Sequence, residues 1–597
     1  MNKVAILRQP TWLMHFFFKA KTPIQCYDQQ MNLSELQRLQ MQEHLNIFYP
    51  SEIATHTMTA LTELLESYRP LISATAKAPS ERLSEQDIIL ITYGDQVQKS
   101  GEAPLKTLHG FLNRHLKDCI TGVHILPFYP YTSDDGFSVA DYLKVDPALG
   151  DWADVSTLGK DYRLMFDAVI NHSSARHHWF QGFLAAESPY RDYFITENPE
   201  TDLSMIVRPR TSPLLTAFET VAGTKHVWTT FSSDQVDLNF ANPQVLLEMT
   251  KILLEYVRHG ASIIRLDAVT YLWKEVGHPS VHHPKTHRVL QLIRSVLEDV
   301  SPHVVMLTET NVPHAENVSY FGDGMNEAQM VYNFALPPLT LYSFMKQDAS
   351  HLQNWAARLT TPSKETTFFN FLASHDGIGV RPVEQLLGSE AIAELVKRVT
   401  DHGGLVSFKS NADGSQSPYE LNINYFDALN SPTADEALEL QVRRFVTAQS
   451  IMLSLAGVPG IYIHSLLGSR SHHAGVQQTG HNRSINREKL SLSGLEHDLS
   501  DPSSLRSQVL AALTPLLVMR RSSPAFHPQS PQQVLETQAQ VFALKRGEGQ
   551  EAVYCLHNLS QEPQAVDLAE TLTDIFSSEQ LSATRIPAFG TRWLRPS

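Results

Sequence analysis

Eight short runs of β-forming, almost continuously apolar residues recur along the chain, and they limit the possible folds more than any other feature. A strand that is buried on both faces has this unbroken apolar character. Helical patterns lie between the runs, and the one over residues 242–260 ends at a glycine, as many helices do. Strands that alternate with helices form a parallel sheet, and eight of them predict a closed (β/α)8 TIM barrel. The runs are IILITYG (88–94), GVHILPF (122–128), RLMFDAVI (163–170), SIIRLDAV (262–269), VVMLTET (304–310), MVYNFALPP (330–338), TFFNFLASHD (367–376) and GIYIHS (460–465).

Polar residues cluster within these runs or just after them. The carboxyl ends of all the strands of a barrel open at one mouth, where the chemistry of such folds takes place. We therefore expect the polar side chains to meet in a single site at that mouth. The residues are Asp95, His124, Asn171, His172, Asp267, Glu309, His375 and Asp376.

Two connections in this pattern are too long to be simple loops. Residues 173–240 follow the third run, and residues 377–440 follow the seventh. Connections of this length in a compact domain are usually functional insertions. We interpret them as two inserted subdomains of a catalytic barrel that spans residues 85–529.

The segments on either side of the barrel have a different character. Residues 1–30 include the apolar stretch WLMHFFF, which is short, contains His15 and lacks a small-residue cleavage site, so we interpret them as an ill-ordered extension rather than a signal peptide. Residues 31–84 carry apolar positions at helical spacing. Residues 530–597 contain short β-forming runs, which predict a small C-terminal antiparallel β domain.

The charge and cysteine content narrow the range of partners. Forty-eight Lys and Arg against 63 Asp and Glu give a net charge of −15, which disfavours nucleic acid and anionic membranes. No apolar run reaches the roughly 18 residues of a membrane-spanning helix. The three cysteines are far apart, so neither a disulfide framework nor a cysteine-based metal site is expected, and a reducing cytoplasm fits best. We expect a monomer or homodimer whose partners are small molecules.

Three of the strand ends each present one carboxylate, namely Asp267, Glu309 and Asp376. A carboxylate nucleophile and a second carboxyl group that acts as acid and base perform retaining glycosyl transfer, with the pair about 5 Å apart. Arg265 lies two residues before Asp267, on the same face of the strand, where its guanidinium would keep Asp267 ionised. A single carboxylate at a strand end is most simply explained as a cap or as part of a salt bridge. Three of them at separate strand ends are harder to explain in that way.

Four segments in the same order resemble the signature regions of the alpha-amylase superfamily, glycoside hydrolase family 13. They are DAVINH (167–172), RLDAV (265–269), Glu309 in LTET, and SHD (374–376). The resemblance covers roughly residues 85–597.

The resemblance implies a role for each matching residue. Asp267 would be the nucleophile, Glu309 the general acid/base, and Asp376 the stabiliser that holds the distorted sugar ring. His172 and His375 would hydrogen-bond sugar hydroxyls, with Arg265 beside the nucleophile.

Further segments are similar to the sucrose phosphorylase subfamily. In that subfamily Asp95 and Arg483 would bind the outer hydroxyls of a terminal glucosyl unit, with His124 nearby. Phe231 would pack on the bound sugar, although it fits an ordinary core residue too. A site that holds the far end of the sugar excludes long chains, so we expect a small glucoside as substrate rather than starch. The segments are LITYGD (90–95), GVHILPF (122–128), RPR (208–210), FALPP (334–338), HDGIGV (375–380) and NRSINR (482–487).

The chain also departs from plain sucrose phosphorylases. Asn311 stands where they carry a His two residues after the acid/base, and Tyr419 with Glu420 stands at their substrate-binding Tyr–Gln pair. The segments YPYTSDDGF (129–137) and RPRTSPLL (208–215) are more similar to relatives that act on glucosylglycerate, sucrose 6′-phosphate or glucosylglycerol. The sequence leaves four alternatives for the substrate, namely these three glucosides and sucrose.

A phosphorylase must bind phosphate, for which arginine is well suited because its planar fork matches the phosphate oxygens. Arg208 and Arg210 lie in the first insertion with Pro209 between them and Pro213 after them, and proline limits the freedom of the loop. We interpret them as phosphate ligands, with Arg210 favoured; a solvated basic turn is the alternative. A carboxylate-bearing acceptor suits the same loop, which favours glucosylglycerate.

The 27 histidines show no metal-ligand spacing, so we expect neither a metal nor a cofactor, and inorganic phosphate would be a co-substrate. The sequence as a whole predicts a retaining α-glucoside phosphorylase. A hydrolase or transglucosylase of the same fold stays open, as does a non-catalytic carbohydrate-binding relative.

Overall fold

The computed structural model describes residues 33–73, 81–411 and 415–597, and the extension predicted over residues 1–30 lies outside them. Its helices are α1 (Leu33–Phe48), α2 (Ser51–Ser73), α3 (Pro104–His115), α4 (Trp152–Asp161), α5 (His178–Leu184), α6 (Pro243–Arg258), α7 (Pro284–Val300), α8 (His314–Asn317), α9 (Leu336–Lys346), α10 (Ser350–Ala356), α11 (Glu384–Asp401), α12 (Tyr425–Leu429), α13 (Leu438–Ser454), α14 (Ile463–Leu466), α15 (His473–Thr479), α16 (Leu492–Ser500) and α17 (Leu505–Ser522).

Its strands are β1 (Ile89–Thr92), β2 (Val97–Gln98), β3 (Gly122–Ile125), β4 (Arg163–Ala168), β5 (His172–Ser174), β6 (Leu215–Thr220), β7 (Gly223–Trp228), β8 (Gln235–Asp237), β9 (Ala261–Leu266), β10 (Val305–Thr308), β11 (Met330–Tyr332), β12 (Thr367–Asn370), β13 (Ile378–Gly379), β14 (Leu405–Ser410), β15 (Gln416–Asn422), β16 (Val458–Tyr462), β17 (Leu490–Ser491), β18 (Gln532–Val534), β19 (Val541–Arg546), β20 (Val553–Asn558), β21 (Gln564–Asp574), β22 (Gln580–Ile586) and β23 (Thr591–Pro596).

Eight parallel strands close into a barrel in the order β1-β16-β12-β11-β10-β9-β4-β3. Closure is visible at β1, where Ile89 pairs with Gly122 of β3 on one side and with Gly460 of β16 on the other. A Cβ at position 460 would overlap the ring of Phe369, so a glycine there lets a large side chain fill the interior. Each barrel strand overlaps one of the eight apolar runs, and the predicted fold class is confirmed.

Helices connect the barrel strands and cover their outer face. The helix predicted over residues 242–260 is α6, which begins with the side chain of Asn242 accepting from the backbone N–H of Gln244. Pro243 occupies the first turn, where its missing N–H costs nothing, and Gly260 follows the end with a φ of 96°. The apolar stripe of α6 is buried against the sheet.

The N-terminal helices α1 and α2 pack against the outside of the barrel on α6 and α7. Tyr49 donates a hydrogen bond to the carbonyl of Phe240, and Arg69 binds Asp299 at the end of α7 at 2.7 Å. The ring of Phe48 stacks on Trp273, with centroids 5.4 Å apart, just beyond the end of β9. These helices therefore lie directly behind one of the loops at the barrel mouth.

The two predicted insertions contain small sheets of their own. The first carries the antiparallel pairs β5–β8 and β6–β7, and the second carries the three-stranded sheet β13-β15-β14. A six-stranded antiparallel sheet, β18-β19-β20-β23-β21-β22, follows the barrel and matches the predicted C-terminal β domain. The division into domains at residues 84 and 529 stays a prediction. No helix within the described ranges combines the length and the apolar character that crossing a membrane demands.

Candidate active site

A cavity of about 70 Å³ lies at the carboxyl ends of the barrel strands, between the two insertions. Ten of the residues predicted to act in the site line it, and they come from positions spread over more than 300 residues of the chain. These ten are His172, Arg210, Phe231, Asp267, Glu309, His375, Asp376, Tyr419, Glu420 and Arg483.

Backbone hydrogen bonds between neighbouring barrel strands position the two carboxylates of the expected catalytic pair. Asp267 directly follows β9 and donates its backbone N–H to the carbonyl of Ala168 at 3.1 Å. Glu309 follows β10 and donates in the same way to Leu266. One Glu309 carboxylate oxygen accepts from the backbone N–H of Ala268 at 3.1 Å, so the two segments are also joined above the sheet.

A buried chain of charged groups lies behind Asp267. Arg265 donates to Asp267 at 2.9 Å and to Asp167, and Asp167 contacts the ring of His124 at 2.6 Å. The parallel register pairs Asp167 with Arg265, which explains why the two meet although 98 residues separate them. Phe137 and Tyr332 each lie about 5.5 Å from the Arg265 guanidinium.

His124 and Arg265 therefore lie in the wall of the site and not on its surface. His124 was predicted near the outer sugar hydroxyls, but its side chain is fully buried and bound to Asp167, outside the residues that line the cavity. Arg265 was expected beside the nucleophile, and it is there, held by two carboxylates.

Burial shifts the pKa values of the two carboxyl groups of the expected catalytic pair. It raises the pKa of Asp267 well above its ordinary value, and Arg265 opposes that shift. Burial also raises the pKa of Glu309, and the charge of Asp376 adds to the increase. Asp267 has an ion pair at 2.9 Å, whereas the hydrogen bond that Glu309 accepts comes from a neutral backbone N–H. Direct pairing with Arg265 favours the ionised form of Asp267, whereas Glu309 has no ion pair within the described part of the chain, which suits Glu309 for the role of general acid.

Asp376, the expected stabiliser, is bound by two arginines. Arg483 lies 2.6 Å from its carboxylate and Arg487 lies 3.6 Å away. Burial alone would raise the pKa of Asp376, but the two guanidinium groups hold it below its ordinary value. Arg483 also forms two hydrogen bonds with Glu420, at 2.6 and 3.0 Å. Glu420 lines the cavity but is almost fully buried and pairs with Arg483, and its contact with substrate stays a prediction.

Aromatic rings form the remaining walls. Phe137 stacks on His375 with centroids 4.8 Å apart, and Phe231 lies between His172 and Tyr271 at 5.3 and 5.5 Å. Phe231 thus belongs to the lining, although part of its edge is occupied by these neighbours. Rings of this kind match the apolar faces of a sugar.

Arg210 is the one cation of the described lining that no carboxylate neutralises. Its guanidinium lies 5.9 Å from the ring of Phe231 and 5.7 Å from that of Tyr419, and it forms no hydrogen bond or ion pair among the residues that the structure describes. The loop is fixed on both sides of Arg210, because Val207 donates to the carbonyl of Pro279 and Ser212 donates to that of Phe231.

Arg208 and Asp95 do not reach the cavity lining. The Nε of Arg208 is buried without a partner, and burial lowers the pKa of this arginine. Asp95 binds Lys489 at 2.5 Å, and the ammonium of Lys489 lies over the ring of Tyr93. Their contacts with phosphate and with the outer hydroxyls stay predictions: Arg210 is the residue of the RPR segment that lines the cavity, and Asp95 pairs with a neighbouring lysine.

Sequence reasoning missed several residues in the cavity lining or directly behind it. Arg487 of the NRSINR segment lies behind the lining, where it donates to the carbonyl of His375 and pairs with Asp376 and Asp135. Asp134 has a φ of 55° and accepts a hydrogen bond from Gln235, and no sequence signal distinguished it from its neighbour Asp135. The sequence offered two signals for these residues: the adjacent aspartates at positions 134 and 135, and the two arginines of the NRSINR segment.

Asn311 also lines the cavity, and its side chain packs on Gly379. A Cβ at position 379 would lie 2.7 Å from the Asn311 Oδ1, so only glycine leaves room for this amide. The buried Oδ1 of Asn311 has no donor among the described residues. Within the same part of the chain, no three His, Cys, Asp or Glu side chains form a group that could hold a metal ion.

Comparisons with known proteins agree with this arrangement. Residues 112–391 match the family model described as alpha amylase, catalytic domain. A glucosylglycerate phosphorylase from Allomeiothermus silvanus is 51% identical over 528 residues, which cover 88% of this chain and 93% of that protein. A glucosylglycerate phosphorylase from Escherichia coli K12 is 47% identical, covering 80% of this chain and 84% of that protein.

More distant relatives act on other glucosides. A sucrose phosphorylase from Bifidobacterium adolescentis is 29% identical, covering 73% of this chain and 85% of that protein. The solved structure of a sucrose 6F-phosphate phosphorylase from Thermoanaerobacter thermosaccharolyticum superposes with a TM-score of 0.71 at 24% identity. It covers 84% of this chain and 98% of that structure, and supports the fold.

Proposed function

Because the chain belongs to the family of its glucosylglycerate phosphorylase relatives, within the alpha-amylase superfamily, we propose that it is a retaining α-glucoside phosphorylase. Its reaction converts glucosylglycerate and inorganic phosphate to α-glucose 1-phosphate and glycerate. Two relatives with that name at 47–51% identity over most of the chain support this substrate.

The observation that carries the phosphorylase proposal is the unpaired guanidinium of Arg210. Arg265 and Arg483 each contact two carboxylates, which neutralise their positive charges. Arg210 has none, and it lines the same cavity as Asp267 and Glu309. An unneutralised arginine in a partly dry site attracts an anion and offers it a planar pair of donors.

The first half-reaction uses the carboxylate pair. Glu309, the group that retains the proton, transfers it to the glycosidic oxygen as the C1–O bond breaks, and glycerate leaves. The ionised carboxylate of Asp267 forms a bond to C1 on the opposite face, which gives a β-linked glucosyl ester. Arg265 donates a hydrogen bond to one oxygen of the Asp267 carboxylate. This contact stabilises that oxygen and orients the other one for attack.

In the second half-reaction, phosphate replaces glycerate beside Arg210. A phosphate oxygen attacks C1 as the ester bond to Asp267 breaks, and the Glu309 carboxylate accepts the proton of the attacking oxygen. Two inversions give net retention, so the product is the α anomer. Asp267 returns as a carboxylate and Glu309 as a carboxylic acid, and no cofactor is needed.

The ion pairs around Asp376 support a small substrate. Arg483 joins Asp376 to Glu420 of the second insertion, and Arg487 joins Asp376 to Asp135 of the loop after β3. These pairs place folded chain on that side of the cavity, where a longer oligosaccharide would need open space. We also place the enzyme in the cytoplasm, which the free buried Cys119 and Cys555 support.

The test offers glucose 1-phosphate as donor with glycerate, glycerol, fructose or fructose 6-phosphate as acceptor, and measures phosphate release. The proposal predicts the fastest release with glycerate. Release that is equally fast without any acceptor would indicate a hydrolase, and a preference for another acceptor would replace glycerate as the substrate.

A further inference from the structure

A buried ion pair lies behind one wall of the cavity. The side chain of Lys274 is fully buried, as is that of Asp237, and their charged atoms lie 3.4 Å apart. Lys274 also donates to the Oδ1 of Asn171 at 2.8 Å. Neither Lys274 nor Asp237 lines the cavity.

Each group bound to this pair adjoins a lining residue. Asn171 precedes His172, and Asp237 accepts from both the backbone N–H and the hydroxyl of Thr230, which precedes Phe231. The lining residue Tyr271 lies three positions before Lys274 in the loop after β9.

The three lining residues also contact one another on the cavity side. The rings of His172 and Phe231 are 5.3 Å apart, and those of Phe231 and Tyr271 are 5.5 Å apart. The ion pair thus joins, from behind, three chain segments whose side chains meet in front.

The charges of the pair depend on each other. Burial lowers the pKa of Lys274, and Asp237 opposes the shift; burial raises the pKa of Asp237, and Lys274 opposes that shift. Removing one partner leaves the other charge uncompensated in the protein interior, which is far more disruptive than replacing both.

We propose that Lys274 is a positioning residue: its ion pair with Asp237 sets the relative positions of His172, Phe231 and Tyr271, and so determines how tightly the glucosyl group is bound. This inference rests on the proposed function, since its readout is phosphorolysis. The role proposed for Lys274 differs from that of Arg210, which acts on the phosphate step alone.

Lys274→Met removes the ammonium while keeping an unbranched apolar stem of similar reach. The expected result is a rise of about tenfold to a hundredfold in the KM for both glucosylglycerate and glucose 1-phosphate, because His172 and Phe231 face either donor. A protein that is only less stable would lose active molecules, which lowers kcat and leaves KM unchanged.

Lys274→Met combined with Asp237→Asn tests the ion pair itself. An amide can still accept from Thr230 and carries no charge, so KM should return to within about threefold of the wild-type value. Asp237→Asn alone should raise KM in the same direction as Lys274→Met, and it supplies the comparison if the lysine variant does not fold.

Arg163→Met is the matched control. It breaks the pair between Arg163 and Asp87, which lies at the opposite end of the barrel strands with 2.5 Å between the charged atoms, and it should lower stability without changing KM. Wild-type KM values in folded Lys274→Met, or a double variant no better than the single one, would overturn the inference. If wild-type enzyme shows no phosphate-dependent turnover, the proposed function fails instead.

Discussion

The Arg483 guanidinium lies 2.6 Å from the Asp376 carboxylate, in the cavity that also contains Asp267 and Glu309. A second carboxylate, Glu420, forms two hydrogen bonds with the same guanidinium. The arginine therefore fixes the ionised carboxylate of Asp376 and attaches the second insertion to it. A carboxylate that must hydrogen-bond a distorted sugar gains from such fixed geometry.

Glu420→Gln should loosen this arrangement. The amide keeps one hydrogen bond to Arg483 and loses the charge, at a cost of roughly 1–3 kcal/mol for a buried charge-assisted contact. We expect the KM for the glucosyl donor to rise by about tenfold with a smaller change in kcat. Steady-state kinetics with glucose 1-phosphate measures this, and unchanged KM would show that Glu420 does not hold Arg483 in place.

Asp267→Asn should abolish turnover without unfolding the barrel. A neutral amide cannot form the glucosyl ester, and loss of an essential catalytic group lowers kcat by at least about 10⁴-fold. The measurement is phosphate release from glucose 1-phosphate with glycerate, with circular dichroism as the check on folding. Activity near that of wild type would remove Asp267 from the mechanism.

Glu309 should determine the alkaline side of the pH profile. Burial, followed by the charge of Asp376, raises the pKa of Glu309 above its ordinary value of 4.5. The acid form is required to protonate departing glycerate, so kcat/KM for glucosylglycerate should fall as pH rises through that raised pKa.

Glu309→Gln cannot lose this proton, so its residual activity should lack the alkaline fall. The profile is measured for both proteins with glucosylglycerate as donor. A fall of the same shape in the variant would assign that titration to another group.

Product stereochemistry tests the double displacement. Retention requires that the glucose 1-phosphate formed first is the α anomer. Proton NMR of the early reaction mixture distinguishes the anomers, and initial formation of the β anomer would exclude a covalent intermediate on Asp267.

The strand pattern was sufficient to predict the barrel and to place three carboxylates at its strand ends. Apolar runs buried on both faces are local features of the sequence, and Asp267, Glu309 and Asp376 stand at the ends of such runs. Local patterns could not show which polar groups face the cavity. Asp95 was assigned to substrate from the family resemblance, and no local pattern pointed to Lys489, which binds it from 394 residues away.

The buried pairs were equally inaccessible to local patterns. Arg487 and Asp135 are 352 residues apart in sequence, and Lys274 and Asn171 are 103 apart. Such contacts depend on how the insertions fold over the barrel mouth. A run of apolar residues carries no information about that packing.

The most direct test compares Arg210→Ala with wild type across a phosphate titration, measuring free glucose and glucose 1-phosphate released from glucosylglycerate. Phosphate enters only after the glucosyl ester has formed, so the first half-reaction should be largely intact. Loss of a charge-assisted contact of roughly 1.5–3 kcal/mol predicts about tenfold to a hundredfold weaker apparent phosphate affinity. Water is uncharged, so the share of free glucose should rise. An unchanged product ratio with unchanged phosphate dependence would contradict the phosphorylase role of Arg210.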